Sequence, residues 1–440
     1  MKIDMVEKGG SEKKEIKILV LSYEPWDVTN SFGNSYRAIF SNIENIQVAN
    51  IYCKYGRPND EIITRAFQIT DKSILQSIVK GTPSGKEINL KNDSKNVHDI
   101  LTDTQTKKIN FFRRHRFRLV FWARDLLWIT GKWWSEELEQ FVIDFNPDII
   151  WCPIYYSVYL NQMAFYFKEM TEKPMVGYSS DDDYTLKQFN LSPLYWIERF
   201  IKRVYIKKTI DLCEQLYVIT SKQKQEFDRI FGKNCKILCK GADFSGKMPF
   251  HESTKETINI LFMGNLSDGR WKSILEVTEV LKRINREKGA IRFSLHVHSM
   301  TPLSKSVMRK INIKPFIPDE AVDKAVRGAD ILLHVEPLDL SERLKFRLSF
   351  STKIVTYLEN ASCILAYGGM TGTMQYLVDA KAGIYAGNMK KLYKILNYIS
   401  ENPQIIEMYR KRAWDCGMKR HDEKKIGKEI RFDLEKLIVD

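Results

Sequence analysis

The stretch "GNLSDGRWKS" places two cations where a helix is predicted to begin. A strand ends at Gly264, a loop follows, and Arg270 and Lys272 open the next helix. Cations disfavour a helix amino terminus, because its free N–H groups already carry positive charge. Their presence therefore indicates an anion to be neutralised, and fixed cations of this kind stabilise a diphosphate. The alternative is a solvated Arg-x-Lys pair.

A second anion site is indicated by "SFSTKIVTYL". Ser351 and Thr352 begin a predicted helix, so free backbone N–H groups and two hydroxyls face the same point. Lys353 adds a charge, although a buried aliphatic stem is an equal alternative.

Three consecutive carboxylates follow a predicted strand in "SSDDDYTL". Adjacent like charges raise each other's pKa, so the run of Asp181, Asp182 and Asp183 needs a reason in a basic protein. One of them is expected to bind substrate hydroxyls or to accept a proton, with Asp181 and Asp182 as the first candidates. The run lacks the spaced Asp-x-Asp of metal-dependent transferases, so no metal is expected. A solvated turn is the alternative.

Two stretches combine basic and aromatic residues: "FFRRHRFRLVFWARDLLWITGKWW" and "LYWIERFIKRVYIKK". The first cannot span a bilayer, which takes about 20 apolar residues, because Arg118, Arg124 and Asp125 interrupt every such window. Basic and aromatic faces are typical of helices at a membrane surface, with core packing of the apolar faces as the alternative. Nucleic acid is disfavoured, since no nucleic-acid module is recognisable. The residues expected to face the membrane are Arg113, Arg114, Arg116, Trp196, Lys207 and Lys208.

The composition indicates globular domains that meet anionic partners. The chain has 440 residues, which favours two or three domains, and 44% apolar residues, which suffice for their cores. The net charge of +14 suggests nucleotide phosphates or lipid headgroups, with a basic but inert surface as the alternative. Seven cysteines form no CxxC pair and no zinc-like spacing. No apolar signal-peptide core is visible, so a cytoplasmic protein is expected.

Strand and helix patterns alternate along two series, which begin with "IKILVLSYEP" and "INILFMGN". This alternation predicts the α/β class, with two Rossmann-like domains facing each other across a cleft and the ligand at the carboxyl ends of the strands. The amino-terminal domain is predicted at 1–245, a linker at 246–257 and the second domain at 258–420. A C-terminal helix at 421–440 is predicted to pack back on the first domain. Residues 81–108, which are polar and rich in Gly, Ser and Asn, predict a mobile loop.

Five longer motifs follow one another in order: "FNPDIIW", "KPMVGYSSDDDY", "QLYVITSKQKQEFDRIFG", "ILFMGNLSDGRWKSILEV" and "FSTKIVTYLENASCILAYGG". Their order resembles that of the retaining, two-Rossmann-domain (GT-B type) glycosyltransferases, nearest to the large family that uses nucleotide-diphosphate sugars. The resemblance covers about residues 16–420. The single motifs are degenerate, and their order is what is specific.

The resemblance implies a donor site built mainly by the second domain. Arg270 and Lys272 would stabilise charge on the departing diphosphate, and the loop "NSFGNSYR" would face the donor phosphates from the amino-terminal domain. The expected donor-binding residues are Gly33, Asn34, Gly264, Asn265, Arg270, Lys272, His298, Phe316, Glu336, Ser351, Thr352 and Lys353. The expected catalytic residues are Asp181, Asp182, Arg270 and Lys272.

The chain departs from the family pattern at two glutamates. The glutamate usual in the donor-site helix falls at Thr356, and the one eight residues earlier falls at Leu348. Glu336, at the end of "ILLHVE", is a candidate replacement, with a structural cap as the alternative. The losses leave the sugar and the nucleotide open.

The predicted function is transfer of a sugar from a nucleotide-diphosphate donor to a glycan or polyprenyl-linked acceptor. The setting would be bacterial cell-surface polysaccharide synthesis, peripheral on the inner face of the cell membrane, with no cofactor. Two alternatives remain: a nucleotide-sugar 2-epimerase of the same architecture, and a non-catalytic binding module.

Overall fold

The computed structural model describes residues 14–90, 118–251, 257–287, 292–315 and 317–439. The strands of these residues are β1 (Ile16–Ser22), β2 (Ile46–Tyr52), β3 (Ile63–Gln68), β4 (Lys86–Ile88), β5 (Ile149–Pro153), β6 (Met175–Ser179), β7 (Gln215–Val218), β8 (Lys236–Ile237), β9 (Thr257–Met263), β10 (Arg292–His298), β11 (Ile313–Lys314), β12 (Ile331–Val335), β13 (Cys363–Tyr367) and β14 (Gly383–Ala386). The helices are α1 (Ser31–Phe40), α2 (Asp71–Lys80), α3 (Arg118–Thr130), α4 (Glu136–Phe145), α5 (Val158–Thr171), α6 (Pro193–Leu212), α7 (Ser221–Phe231), α8 (Arg270–Glu287), α9 (Lys305–Ile311), α10 (Asp319–Arg327), α11 (Leu340–Lys345), α12 (Lys353–Glu359), α13 (Gly372–Asp379), α14 (Met389–Glu401), α15 (Gln404–Arg420) and α16 (Glu423–Val439).

The first sheet has eight strands in the order β4-β3-β2-β1-β5-β6-β7-β8. Strand β1 pairs in parallel with β2 and β5, β2 pairs in parallel with β3, and the short β4 is antiparallel to β3. The sequence IKILVLS of β1 is buried except at Lys17, which is half-buried. Such a continuous apolar run is typical of a parallel strand that is covered on both faces.

The second sheet has six strands in the order β11-β10-β9-β12-β13-β14, and its neighbouring strands are parallel. One face packs on α8 and α14 through residues such as Ile260, Ile274 and Leu396. The other face packs on α12 and α15 through residues such as Leu332 and Ile354. Because the strands are parallel, β9, β10 and β12 end at the same edge of the sheet. The predicted α/β class with two parallel-sheet domains is confirmed.

The chain divides into two compact units. One comprises residues 1–153, 157–176 and 430–440, and the other comprises residues 154–156 and 177–429. Within the first unit, the end of α16 returns to the amino-terminal part of the chain: Nη1 of Arg431 donates to the carbonyl oxygens of Glu44 and Asn45, each at 2.9 Å. The domain boundaries drawn from the sequence stay a prediction.

Residues 63–88 contain elements that the sequence patterns did not predict. Strand β3 and helix α2 lie before the predicted loop, and β4 lies inside it. Helix α2 begins with a capping box, in which Thr70 and Ser73 each accept a hydrogen bond from the other's backbone N–H. The part of the predicted loop from residue 91 to 108 lies outside the described residues.

All seven cysteines are free and buried: Cys53, Cys152, Cys213, Cys235, Cys239, Cys363 and Cys416. Burial raises the pKa of Cys152 and Cys239 to about 12, so these thiols stay protonated near neutral pH. Cys239 packs in the core under the second sheet, and Cys235 packs against α6 and α7. The cysteines are therefore packing residues.

Candidate functional site

The end of β9 passes directly beneath a lysine amine. A side chain at Gly264 would place its Cβ 2.4 Å from Nζ of Lys353, closer than any real contact. The same amine donates to the carbonyl oxygen of Met263 at 3.2 Å. The backbone N–H of Gly264 donates to the carbonyl oxygen of His298 at 3.0 Å, which joins the ends of β9 and β10. Only glycine lets Lys353 reach this strand end.

Arg270, the first residue of α8, lies between an aromatic ring and a carboxylate. Its guanidinium stacks 4.4 Å from the ring centre of Phe346, and Nη2 lies 3.2 Å from Oε2 of Glu336. Glu336 is 2% exposed, and its other oxygen lies 3.2 Å from Nε2 of His334. Burial alone raises the pKa of Glu336, but His334 and Arg270 hold it below its usual value. The carboxylate therefore stays ionised and orients Arg270.

Lys353 and Arg270 form a pair of neighbouring cations. Partial loss of water and the positive charge of Arg270 lower the pKa of Lys353. Glu336 pairs with Arg270, whereas Lys353 has no acidic partner among the residues that the structure describes. Two neighbouring cations on a parallel-sheet edge, one of them without an acidic partner among the described residues, are suited to a ligand with several negative charges, such as a diphosphate.

The helix predicted at Ser351 and Thr352 begins with Lys353. Thr352 is the N-cap residue of α12, and its hydroxyl makes no capping hydrogen bond. The backbone N–H of Ser351 donates to Oγ1 of Thr373 at 2.9 Å. Chain connectivity thus brings the hydroxyls of Ser351 and Thr352 to the amino end of the helix that carries Lys353.

Other predicted donor residues do not join this group. Nζ of Lys272 lies 2.7 Å from Oδ2 of Asp339 in an exposed pair, 45% and 44% exposed. The amide oxygen of Asn265 accepts hydrogen bonds from the backbone N–H of Ser267 and from the hydroxyl of Thr301. Nδ1 of His298 lies 2.6 Å from the carbonyl oxygen of Pro315. Phe316 lies outside the described residues.

Gly33 and Asn34 lie in the other compact unit, in the first turn of α1 rather than in a loop. Asn30 caps this helix by accepting a hydrogen bond from the N–H of Gly33 at 2.7 Å. A Cβ at Gly33 would lie 2.1 Å from the carbonyl oxygen of Asp27. The close approach that requires this glycine is therefore to the chain's own backbone.

Asp182 is the buried centre of an ion-pair network. Its side chain is 0% exposed and accepts a hydrogen bond from Nε of Arg347 at 2.7 Å. It also accepts from the backbone N–H and the hydroxyl of Thr185, and Arg199 lies 3.7 Å away. Arg347 also donates to Glu226 at 2.8 Å. Burial raises the pKa of Glu226, but Arg347 and Lys187 lower it to about 2. A carboxylate with these partners is held in place by the protein itself.

Asp181 is tied to the segment that precedes α12. Its Oδ1 accepts a hydrogen bond from Oγ of Ser349 at 2.5 Å. The hydroxyl of Thr220, at the start of α7, donates to the carbonyl oxygen of Leu348 at 3.1 Å. With Arg347, these contacts fix residues 347–349, which lead directly into Ser351 and Thr352.

Sequence reasoning missed Arg347, Glu226 and His334 as parts of the site. Leu348, which stands where the sequence comparison expected a glutamate, is 0% exposed and lies in a core cluster of the second unit. Arg347, the residue before Leu348, was the available signal for this network, because it is a cation next to the stretch SFSTKIVTYL that the sequence had already indicated as an anion site. Its acidic partners are 165 and 121 residues away in sequence, so no local pattern identifies them.

Helix α6 presents two different faces. Arg199 and Lys202 are only 4% and 6% exposed, and Arg203 stacks 4.0 Å from the ring centre of Tyr184. These three basic residues of the stretch LYWIERFIKRVYIKK are thus turned inward. The apolar strip of α6 is exposed to between 46% and 68% and consists of Leu194, Ile197, Phe200, Ile201 and Val204.

The residues predicted to face a membrane are only partly described. Trp196 is half-buried and donates from Nε1 to the carbonyl oxygen of Asn190 at 2.8 Å. Lys207 and Lys208 are exposed, and Lys207 pairs with Asp211 at 2.6 Å. No helix in the described part of the chain combines the length and the apolar character needed to cross a bilayer. Three predicted membrane residues lie outside the described ranges: Arg113, Arg114 and Arg116.

The fold matches solved structures over 96% of the chain, although no family model and no curated protein matches the sequence significantly. HepE from Anabaena in complex with UDP matches with a TM-score of 0.59 at 12% identity, covering 96% of this chain and 100% of that chain. A trehalose-6-phosphate structure from E. coli bound with UDP-2-fluoro glucose gives 0.58 at 11% identity, covering 96% and 99%. TarM gives 0.58 at 10% identity, covering 96% and 99%. The architecture is that of the GT-B glycosyltransferases.

Proposed function

We propose that the chain is a retaining glycosyltransferase that moves a sugar from a nucleotide-diphosphate donor to a hydroxyl of a glycan acceptor. The main support is the pair of neighbouring cations, Arg270 and Lys353, at the end of β9, of which Arg270 pairs with Glu336 at 3.2 Å and with Asp268 at 3.9 Å. A diphosphate would relieve their mutual repulsion. The likeness in fold to structures holding UDP or UDP-2-fluoro glucose supports the same ligand class.

In this proposal the two cations act on the leaving group. As the bond between the sugar and the phosphate breaks, negative charge grows on the diphosphate, and preorganised cations stabilise that charge. Glu336 keeps the guanidinium of Arg270 in place before the donor binds. The hydroxyls of Ser351 and Thr352 would donate to phosphate oxygens. Fixed cations would replace a metal ion, so we propose no cofactor, and UDP-sugars are the first donors to test.

We further propose that the acceptor is a lipid-linked glycan at the inner face of the cell membrane, in the synthesis of a cell-surface polysaccharide. The apolar strip of α6 supports this, because five apolar side chains on one helix face are open to solvent. Lys207 and Lys208 follow on the same helix, and the net charge of +14 complements anionic lipids.

The test is incubation of the purified chain with a panel of nucleotide sugars, with and without polyprenyl-diphosphate-linked acceptors. Mass spectrometry of the lipid fraction and measurement of released nucleotide follow the reaction. A glycan extended by one sugar, with the anomeric configuration of the donor, would support the proposal. Epimerised free sugar would indicate the 2-epimerase alternative. Binding without turnover would indicate a binding module, which the loss of the glutamates at Thr356 and Leu348 would explain.

The chain offers a matched pair of lysines for this assay. Lys353 lies at the strand end beside Arg270, whereas Lys272 pairs with Asp339 on the surface. Both substitutions to Ala remove one positive charge, so a difference between them reports position rather than net charge. Equal rates in the two variants would contradict the proposed diphosphate position.

A further inference from the structure

Tyr156, three residues beyond the end of β5, has a hydroxyl group that makes no hydrogen bond to the described part of the chain. The oxygen is buried and has no hydrogen-bond partner among the residues that the structure describes. Two cations of α6 cover the ring: Nζ of Lys202 lies 4.4 Å and Cζ of Arg199 lies 5.6 Å from its centre. A buried hydroxyl without a partner costs free energy, which a polar ligand would offset.

Asp183 differs from the two carboxylates that precede it. Asp181 accepts a hydrogen bond from Ser349, and Asp182 accepts one from Arg347. Asp183, which is half-buried, has no hydrogen bond or ion pair to any described residue. Arg199 links the two groups, because its guanidinium lies 5.6 Å from the ring centre of Tyr156 and also donates from Nη2 to the carbonyl oxygen of Asp182, the residue before Asp183, at 2.8 Å. The two unsatisfied groups therefore belong to one small cluster.

The charges around Asp183 favour a neutral ligand over an anion. The cations that face it already have acidic partners: Nζ of Lys202 lies 2.6 Å from Glu198, and Arg199 pairs with Asp182. Burial and the charge of Asp181 raise the pKa of Asp183 to about 7, with Asp182 adding to the rise and Arg199 and Lys202 opposing it. An uncompensated carboxylate repels a diphosphate and accepts hydrogen bonds from hydroxyl groups.

We propose that Tyr156 and Asp183 form the subsite that binds hydroxyl groups of the glycan acceptor. The carboxylate accepts a hydrogen bond from one sugar hydroxyl, and the phenol exchanges a hydrogen bond with another. This inference rests on the proposed transferase function and assigns its acceptor side. The network through Asp182 and Arg347 joins this subsite to the segment that leads into Ser351, so acceptor and donor groups are held by one framework.

The test uses the full chain and two conservative variants, Asp183→Asn and Tyr156→Phe. Transfer rates are measured against acceptor concentration and separately against donor concentration, together with donor hydrolysis in the absence of acceptor. We expect Asp183→Asn to raise the acceptor KM about tenfold or more and Tyr156→Phe severalfold, since hydrogen bonds to charged groups are the stronger ones. The donor KM and donor hydrolysis should stay within about twofold in both. Glu320→Gln and Tyr398→Phe, which alter exposed side chains, are the matched controls.

The outcomes separate this inference from the proposed function. Transfer by the parent chain with an unchanged acceptor KM in both variants would refute the subsite alone. An equal change in donor and acceptor KM would also refute it, because the residues would then act on the whole site. If Asp183→Asn fails to fold, as judged by its thermal midpoint, Tyr156→Phe decides by itself. Absence of transfer and of nucleotide release in the parent would refute the proposed function, and the subsite with it.

Discussion

The buried guanidinium of Arg347 is where we expect a single substitution to cost most in stability. Arg347→Met keeps an extended side chain of similar width but removes the charge and all donors. Asp182, 0% exposed, loses its hydrogen bond at 2.7 Å, and Glu226, 11% exposed, loses its bidentate partner. Asp182 then has Arg199, at 3.7 Å, as its remaining cation.

The size of the effect follows from this geometry. Breaking a buried ion pair by removing one partner costs about 3–5 kcal/mol, because the other charge stays buried. We expect about 3 kcal/mol, since Arg199 and the two hydrogen bonds from Thr185 still stabilise Asp182. For a unit of this size that corresponds to a fall of about 6–12 °C in the thermal midpoint.

Thermal unfolding followed by circular dichroism at neutral pH measures the shift. Arg283→Met is the control, because Arg283 is 62% exposed and its pair with Glu287 is a surface ion pair, which adds little to stability. An acid titration gives a second readout. Burial raises the pKa of Glu226, but Arg347 and Lys187 together lower it to about 2, so the stability from this group is present above pH 4.5 and is lost as pH falls toward 2. A midpoint within about 2 °C of the parent would refute the network as a source of stability.

The other predictions concern activity, metal, membrane and pH. Lys353→Ala should lower kcat by about 100-fold or more, the usual effect of losing one preorganised charge contact, and Lys272→Ala by less than about tenfold; the reverse order would put the diphosphate elsewhere. EDTA should leave transfer intact, and a loss restored by Mn²⁺ or Mg²⁺ would disprove the metal-free proposal. Replacing Ile197 and Val204 by Ser should weaken binding to anionic vesicles, measured by sedimentation, by about 1.5–3 kcal/mol per side chain, while donor hydrolysis stays unchanged. Unchanged sedimentation would show that the apolar strip of α6 is not part of a membrane-binding face. The acceptor KM should rise as pH falls through about 7, because the Asp183 carboxyl is ionised above its pKa and protonated below it; the same profile in Asp183→Asn would assign this ionisation to another group.

The fold was predictable where local patterns are strong. The run IKILVLS predicts β1, and Gly232 marks the end of α7, because apolar runs and helix caps act over a few residues. Strand β3 was missed, since its ITRAFQ sequence has only weak alternation and its burial comes from pairing with β2. The Thr70 capping box of α2, which precedes the predicted loop, was a readable signal that the prediction did not use.

The site divides along similar lines. Gly264, Arg270 and Lys353 could be named from the sequence, because strand ends of a parallel sheet meet at one edge. The burial of Asp182 in an ion pair could not be predicted, since its partner Arg347 is 165 residues away in sequence. The inward turn of Arg199 on α6 was equally hidden. A helix with a charged face and an apolar face does not reveal which one meets the protein until the acidic loop beside it is placed.

Because every cysteine is buried, the rate of thiol labelling measures how often the folded chain opens. A thiol reagent reacts with an exposed thiolate, whereas burial keeps these thiols both inaccessible and protonated. Labelling of the native chain therefore proceeds only through transient unfolding. Cys152 and Cys363 lie in strands of different sheets, so mass spectrometry of labelled peptides would time the opening of each sheet separately. Because the native cysteines react slowly, a single cysteine introduced at an exposed helix position could be labelled selectively with a fluorophore.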